Sequence, residues 1–108
     1  MNPIATTPKP PYIAVIFTSI YHSNENDGYA QTAEEMVALA AKQDGYIGVE
    51  SVRDNDGAGI TVSYWRDEES IINWKAVAAH KAAQKAGMDK WYKAYTTRVA
   101  TVSREYSL

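Results

Sequence analysis

The residues that could do chemistry in this chain of 108 are few. His80 lies six residues after Trp74 in the stretch ITVSYWRDEESIINWKAVAAHKAAQKAG, Ile60 to Gly87. An unperturbed imidazole titrates near ~6.5, so it can take or give a proton at neutral pH, or ligate a metal. A lone histidine with no identified carboxylate partner is also an ordinary helix-surface residue. His22, at the end of an apolar run, reads as exposed. Trp65, Trp74 and Trp91 suit a pocket wall, a core or an interface, since each joins a large apolar ring to one N–H donor. Glu34 and Glu35 are adjacent and diverge on a helix, so they read as a solvated face. Asp54-Asn55-Asp56-Gly57 has the composition of a calcium loop without its ligand spacing or closing Glu, and no metal site is expected. Arg98 and Arg104 share a strand face and could hold an anion, although an ion pair is the simpler use. There is no glycine-rich phosphate loop and no G-x-S-x-G, H-E-x-x-H or C-x-x-C motif.

The elements that must position these residues follow from periodicity. Met1 to Pro11 holds all the prolines and reads as a flexible, extended N-terminal arm before a single domain at 12–108. Tyr12 to Tyr21 is a strand with apolar residues on both faces: Ile13, Val15 and Phe17 on one, Ala14, Ile16 and Ile20 on the other. A helix follows to about Gln43, with cap candidates Ser23, Asn24, Asn26 and Asp27 before it and Gly45 after it. Tyr46 to Arg53 and Ile60 to Trp65 form a hairpin around the Asp-Asn-Asp-Gly turn. Asp67 caps a second helix running to about Gly87, and Glu68 and Glu69 favour its N-terminal dipole. Met88 to Tyr95 reads as a short helical turn or loop, and Thr96 to Tyr106 as the last strand. The order βαββαβ predicts a ferredoxin-like α+β fold, with an antiparallel sheet and both helices on one face. The first strand is apolar on both sides, so the bare face needs a cover, and a second copy is the simplest one. A homodimer is therefore expected.

Composition narrows the function classes. The net charge of −2 gives no reason to expect nucleic acid or an anionic membrane as partner. The absence of cysteine excludes disulfides, thiolate metal sites and a cysteine nucleophile. No apolar run approaches the ~20 residues of a membrane span or forms a signal-peptide core, so a cytoplasmic protein is expected. Eight tyrosines and three tryptophans against one phenylalanine favour half-polar pockets over a sealed core.

The run Ser63-Tyr64-Trp65-Arg66-Asp67-Glu68-Glu69-Ser70-Ile71, then Trp74, then His80-Lys81-Ala82-Ala83-Gln84, resembles the antibiotic biosynthesis monooxygenase domain family. Ile13 to Phe17, the Asp44-Gly45-Tyr46 turn and the final strand fit the same family, so the resemblance covers nearly all of the chain past residue 11. It implies a dimeric α+β barrel and a family that includes cofactor-independent monooxygenases acting on quinols and anthrones, and haem-degrading oxygenases. The haem-degrading branch carries an Asn on the first strand, a Trp on the second helix and a His ten residues after it. Here Trp74 matches, but Gln84 stands at the His position and Ile16 and Phe17 near the Asn position. Departure from the haem pattern at two of its three points demotes haem binding, and no cofactor is expected. The expected activity is a cofactor-independent oxygenation of a small aromatic, in an apolar pocket between sheet and helices. His80 is the expected base, and Phe17, Tyr64, Trp65, Trp74, Gln84 and Trp91 the expected substrate-binding residues. The alternatives are a non-catalytic small-ligand-binding or interaction module of the same fold, and a haem-binding relative.

Overall fold

The computed structural model describes residues 3–21, 28–84 and 91–108, with only the backbone at 83 and 84. Its elements are β1 (Tyr12–Tyr21), α1 (Tyr29–Ala41), β2 (Tyr46–Arg53), β3 (Ala58–Trp65), α2 (Glu68–Gln84) and β4 (Tyr92–Val102). The strands form one antiparallel sheet in the order β2-β3-β1-β4, as the βαββαβ reading requires.

Cross-strand register sorts the side chains onto two faces. Ile13 lies opposite Trp65 and Val15 opposite Ser63, and this face carries the helices. Its centre is Trp65, fully buried, packed with Ala40 of α1 and Ile71 of α2. Ile13, Val15, Tyr46 and Trp74 close around them. The Trp65 ring stacks on Trp74 at 5.8 Å and meets Tyr46 edge-on at 5.6 Å. Its indole N–H donates to Ser63 Oγ at 2.8 Å, so burial leaves no polar atom unpaired.

The turn from β3 into α2 is set by short-range chemistry. Asp67 Oδ1 accepts from the Ser70 backbone N–H at 2.9 Å and from Ser70 Oγ at 2.6 Å, the N-cap expected from the sequence. These bonds, with Arg66 beside them, pull the Asp67 carboxyl down to about 2. A carboxyl more acidic folded than unfolded contributes stability at neutral pH and loses it as pH falls toward its folded value. Arg66 also donates to both oxygens of Asp44, at 3.2 and 3.1 Å, and its N–H reaches Gly45 O at 2.8 Å. The α1–β2 corner is thereby fixed to the β3–α2 corner.

Three boundaries differ from the sequence reading. β3 starts at Ala58, two residues earlier than expected. α1 starts at Tyr29 with Gly28 in the N-cap position, while Ser23, Asn24, Asn26 and Asp27 lie outside the described residues, as does Gly87. β4 begins at Tyr92 rather than Thr96 and ends at Val102 rather than Tyr106. Its start is decided by pairing: β4 runs along the whole of β1, from Tyr12 opposite Val102 to Tyr21 opposite Tyr92. A bulge between Ile20 and Tyr21 places Lys93 as the extra residue.

The outer face of the sheet is covered at one end. Tyr64 OH donates to Glu50 Oε1 at 2.6 Å, and Glu50 Oε2 accepts the Ala5 backbone N–H at 3.0 Å. Glu105 accepts from Thr7 Oγ1 at 2.7 Å and from the Tyr12 hydroxyl. The N-terminal arm and the C-terminal tail thus meet over Tyr12 and Ala14, both buried. Toward the other end, Val52, Ile60 and Ile20 are exposed at 77%, 50% and 43%.

Candidate functional site

The tyrosine-rich composition gathers at one end of the helix face. Tyr21, at the end of β1, stacks on Tyr29, at the start of α1, with ring centres 4.1 Å apart. Tyr29 meets Trp91 edge-on at 5.6 Å and Tyr92 at 5.8 Å, and the Tyr92 hydroxyl lies 3.5 Å from that of Tyr29. Tyr92 and Tyr95 then close on Phe17 at 5.5 and 5.4 Å. Burial, then the bond to Tyr29, pushes the Tyr92 hydroxyl well above the usual phenol range. It stays protonated and can donate a hydrogen bond, but it cannot serve as a base near neutrality.

Arg53, the last residue of β2, enters this cluster. Its guanidinium donates from Nη2 to Ser19 Oγ at 2.8 Å and from Nη1 to the Gly57 carbonyl. Its carbon centre sits 5.8 Å from the Tyr21 ring centre and 5.6 Å from that of Tyr29, within cation–π range. Ser19 is 2% exposed, so the arginine is anchored to the buried floor of the sheet. Tyr21, Arg53, the turn 54–57 and Lys93 line a cleft of about 430 Å³ beside the cluster. Gly57, at φ +95°, lets this turn approach β1: a Cβ there would stand 2.6 Å from the Tyr21 carbonyl oxygen.

The structure divides the residues singled out from the sequence among several places. Phe17 and Trp91 belong to the aromatic cluster. Trp65 and Trp74 are together in the core under the helices, where Trp65 offers no accessible surface and Trp74 is half-buried. Tyr64 lies opposite Ala14 on the outer face, against Tyr12 and Glu50, so the sheet separates it from both groups. Burial and the Glu50 carboxylate drive its hydroxyl strongly upward. His80 is exposed on α2, about 120° around the helix from Trp74. Lys81, next to it, faces α1 and binds Glu35 at 2.8 Å. The Gln84 side chain and His22 lie outside the described residues.

Sequence reasoning did not single out Ser19, Tyr21, Tyr29, Arg53, Tyr92 or Tyr95 for the site. The one signal pointing to them was the excess of tyrosine over phenylalanine. The Asp54 carboxylate binds its own turn, with Oδ1 accepting from the N–H groups of Asp56 and Ala58, both at 2.9 Å. Among the described residues no group of three or more histidines and carboxylates is placed to hold a metal, and no helix is long and apolar enough to cross a membrane.

Comparison with known proteins bears on this arrangement. Residues 11–86 match the sequence model of the family described as antibiotic biosynthesis monooxygenase. The chain belongs to that family. Over 105 residues this antibiotic biosynthesis monooxygenase family member is 50% identical to protein YqjZ of Bacillus subtilis, covering 97% of the chain and 91% of YqjZ. Over 94 residues it is 33% identical to the jasmonate monooxygenase of Pyricularia oryzae, covering 83% of the chain but only 43% of that longer protein. Among solved structures, the cofactor-independent oxygenase SnoaB of Streptomyces nogalater superposes with a TM-score of 0.67 over 92% of this chain and 98% of SnoaB. At 12% identity that likeness concerns the fold.

Proposed function

We propose that this family member is a cofactor-independent monooxygenase that oxidises a small electron-rich aromatic, such as a quinol or an anthrone. The observation that carries the reading is the ring cluster of Phe17, Tyr21, Tyr29, Trp91 and Tyr92, with the Arg53 cation beside the Tyr21 and Tyr29 rings. Flat aromatic walls orient a planar substrate and exclude water, and a cation favours its deprotonated form. For an anthrone, the carbanion passes electrons to O₂ and a C–O bond forms. Loss of water then leaves the quinone, so one oxygen atom enters the product and the other leaves as water.

In this reading the proton acceptor is His80, which is exposed on α2 and outside the cleft lining, so it acts through bound water. His80→Ala is expected to slow oxygen consumption on a hydroquinone or anthrone by roughly 10²–10⁴-fold with the fold intact. An oxygen electrode and a circular-dichroism melt measure both quantities. A loss below about threefold removes His80 from the mechanism. Wild-type protein inert on a panel of such substrates favours the non-catalytic binding module instead.

The assembly belongs to the same proposal. The uncovered part of the outer face presents Val52, Ile60 and Ile20. One cross-strand row on this face runs Glu50, Val62, Ile16, Arg98, acidic at one edge and basic at the other. A two-fold axis along the strands sets Glu50 of one copy toward Arg98 of the next and buries the apolar residues between them. The expected homodimer buries more than ~1,200 Å² in total. Sedimentation at micromolar concentration is expected to give about 24 kDa, twice the 12.0 kDa chain, and a stable monomer overturns the assembly.

A further inference from the structure

Arg53 carries its charge among neutral partners. Its hydrogen bonds go to a hydroxyl and a backbone carbonyl, its carbon centre lies near two tyrosine rings, and no ion pair among the described residues includes it. Arg66, by contrast, is held by two carboxylates at the surface. A half-buried cation gives up hydration, and with no counter-ion among the described residues that cost is only partly offset. Two of the five guanidinium N–H donors are taken by Ser19 and Gly57, which leaves three on a side chain that lines the cleft.

The rest of the cleft complements a negative group carried on a flat ring. The β-bulge in β4 delivers Lys93 to the cleft wall as a second cation. Asp54 and Asp56 also line it, but the Asp54 carboxylate is turned onto the backbone of its own hairpin and Asp56 is exposed at the tip. Tyr21 belongs both to the cleft wall and to the stack on Tyr29, so an aromatic ring entering beside Arg53 meets the Tyr21 side chain on arrival.

We infer that this cleft is a binding site for an aromatic carboxylate, with the carboxylate on the Arg53 fork, Lys93 as an outer charge and the ring against Tyr21. The planar guanidinium matches a carboxylate through paired N–H···O bonds, which a neutral amide of the same shape cannot reproduce. As a statement of substrate class it rests on the oxygenase reading; as a binding site it stands on the geometry alone.

The test compares 2-naphthoate with its neutral isostere 2-naphthamide, by calorimetric titration of the intact protein at pH 8. The naphthoate is expected to bind at least about tenfold tighter, and that preference to shrink several-fold as salt rises from about 20 to about 500 mM. Arg53→Met keeps the aliphatic stem and is expected to abolish the preference. Lys93→Gln, at an exposed position, is expected to reduce it by about two- to fivefold. Should Arg53→Met fail to fold, since Arg53 also ties the hairpin to β1, Arg53→Lys keeps the charge without the fork and is expected to lose most of the preference. Equal affinities in the wild type overturn the site, as does a preference that survives loss of the Arg53 guanidinium. Naphthoate preference without oxygen uptake on any substrate leaves the site and removes the oxygenase reading. Oxygen uptake on quinols without naphthoate preference does the reverse.

Discussion

Trp65→Ala is expected to remove about 3–5 kcal/mol of folding stability, the cost of emptying a large buried ring site. A domain of this size holds roughly 5–15 kcal/mol in all, so the loss takes about a fifth or more of it. The melting temperature should fall by roughly 12 °C or more. The reason is position. Trp65 is 0% exposed, touches Trp74 and Tyr46 ring to ring, and stands between Ala40 and Ile71, so it joins both helices to the sheet. Trp65→Phe keeps a ring there and should cost less than half as much. Trp74→Ala should also cost less, because Trp74 is already partly in solvent. Urea unfolding followed by far-ultraviolet circular dichroism measures all three without relying on the tryptophan that is removed. A Trp65→Ala loss under about 1.5 kcal/mol contradicts the packing described here.

Gly45→Ala is the second large effect, expected to cost about 2–4 kcal/mol. Two causes add. Gly45 has φ +89°, where a Cβ is disfavoured by about 1–2 kcal/mol. That Cβ would also stand 1.9 Å from Ser70 Oγ and 2.6 Å from Ser70 Cβ. Ser70 cannot simply turn away, since its hydroxyl and N–H hold Asp67 at the head of α2 and it is 2% exposed. Relieving the collision therefore breaks the cap or shifts the helix. A double-mutant cycle with Ser70→Gly separates the causes. In that background Gly45→Ala should retain only the backbone cost, about 1–2 kcal/mol. An unchanged cost would show that Ser70 yields freely.

Both predictions concern residues close to the chain's strongest local signals, and those signals were readable. Period-two alternation in Ile60 to Trp65, the Asp-Gly turn before it and Asp67 ahead of two glutamates depend on a few neighbouring residues. Strand, turn and cap formed as those residues dictate, and the doubly apolar β1 took its central place with a strand on each side. Where the reading slipped, long-range pairing had decided. Tyr92 to Tyr95 lack a clear strand pattern, yet they extend β4 because β1 offers partners as far as Tyr21.

The candidate site was less legible for a related reason. The same period of two sends Tyr64 and Trp65 to opposite faces, so one pocket could not take both, but no local pattern says which face the helices will cover. Exposure of His80 likewise follows from α2 turning Ile71, Trp74 and Lys81 inward, a rotation fixed by contacts with Trp65 and Glu35. The Arg53 cleft is the extreme case. Ser19 and Tyr21, Tyr29, Arg53 to Gly57, and Trp91 to Tyr95 come from four separate parts of the sequence. Composition announced the tyrosines, and local chemistry fixed the elements that carry them. Only the antiparallel register, with the bulge at Lys93, brings their ends to one corner around an arginine that forms no ion pair among the described residues. That meeting depends on contacts between residues far apart in the chain, which spacing along the sequence does not encode.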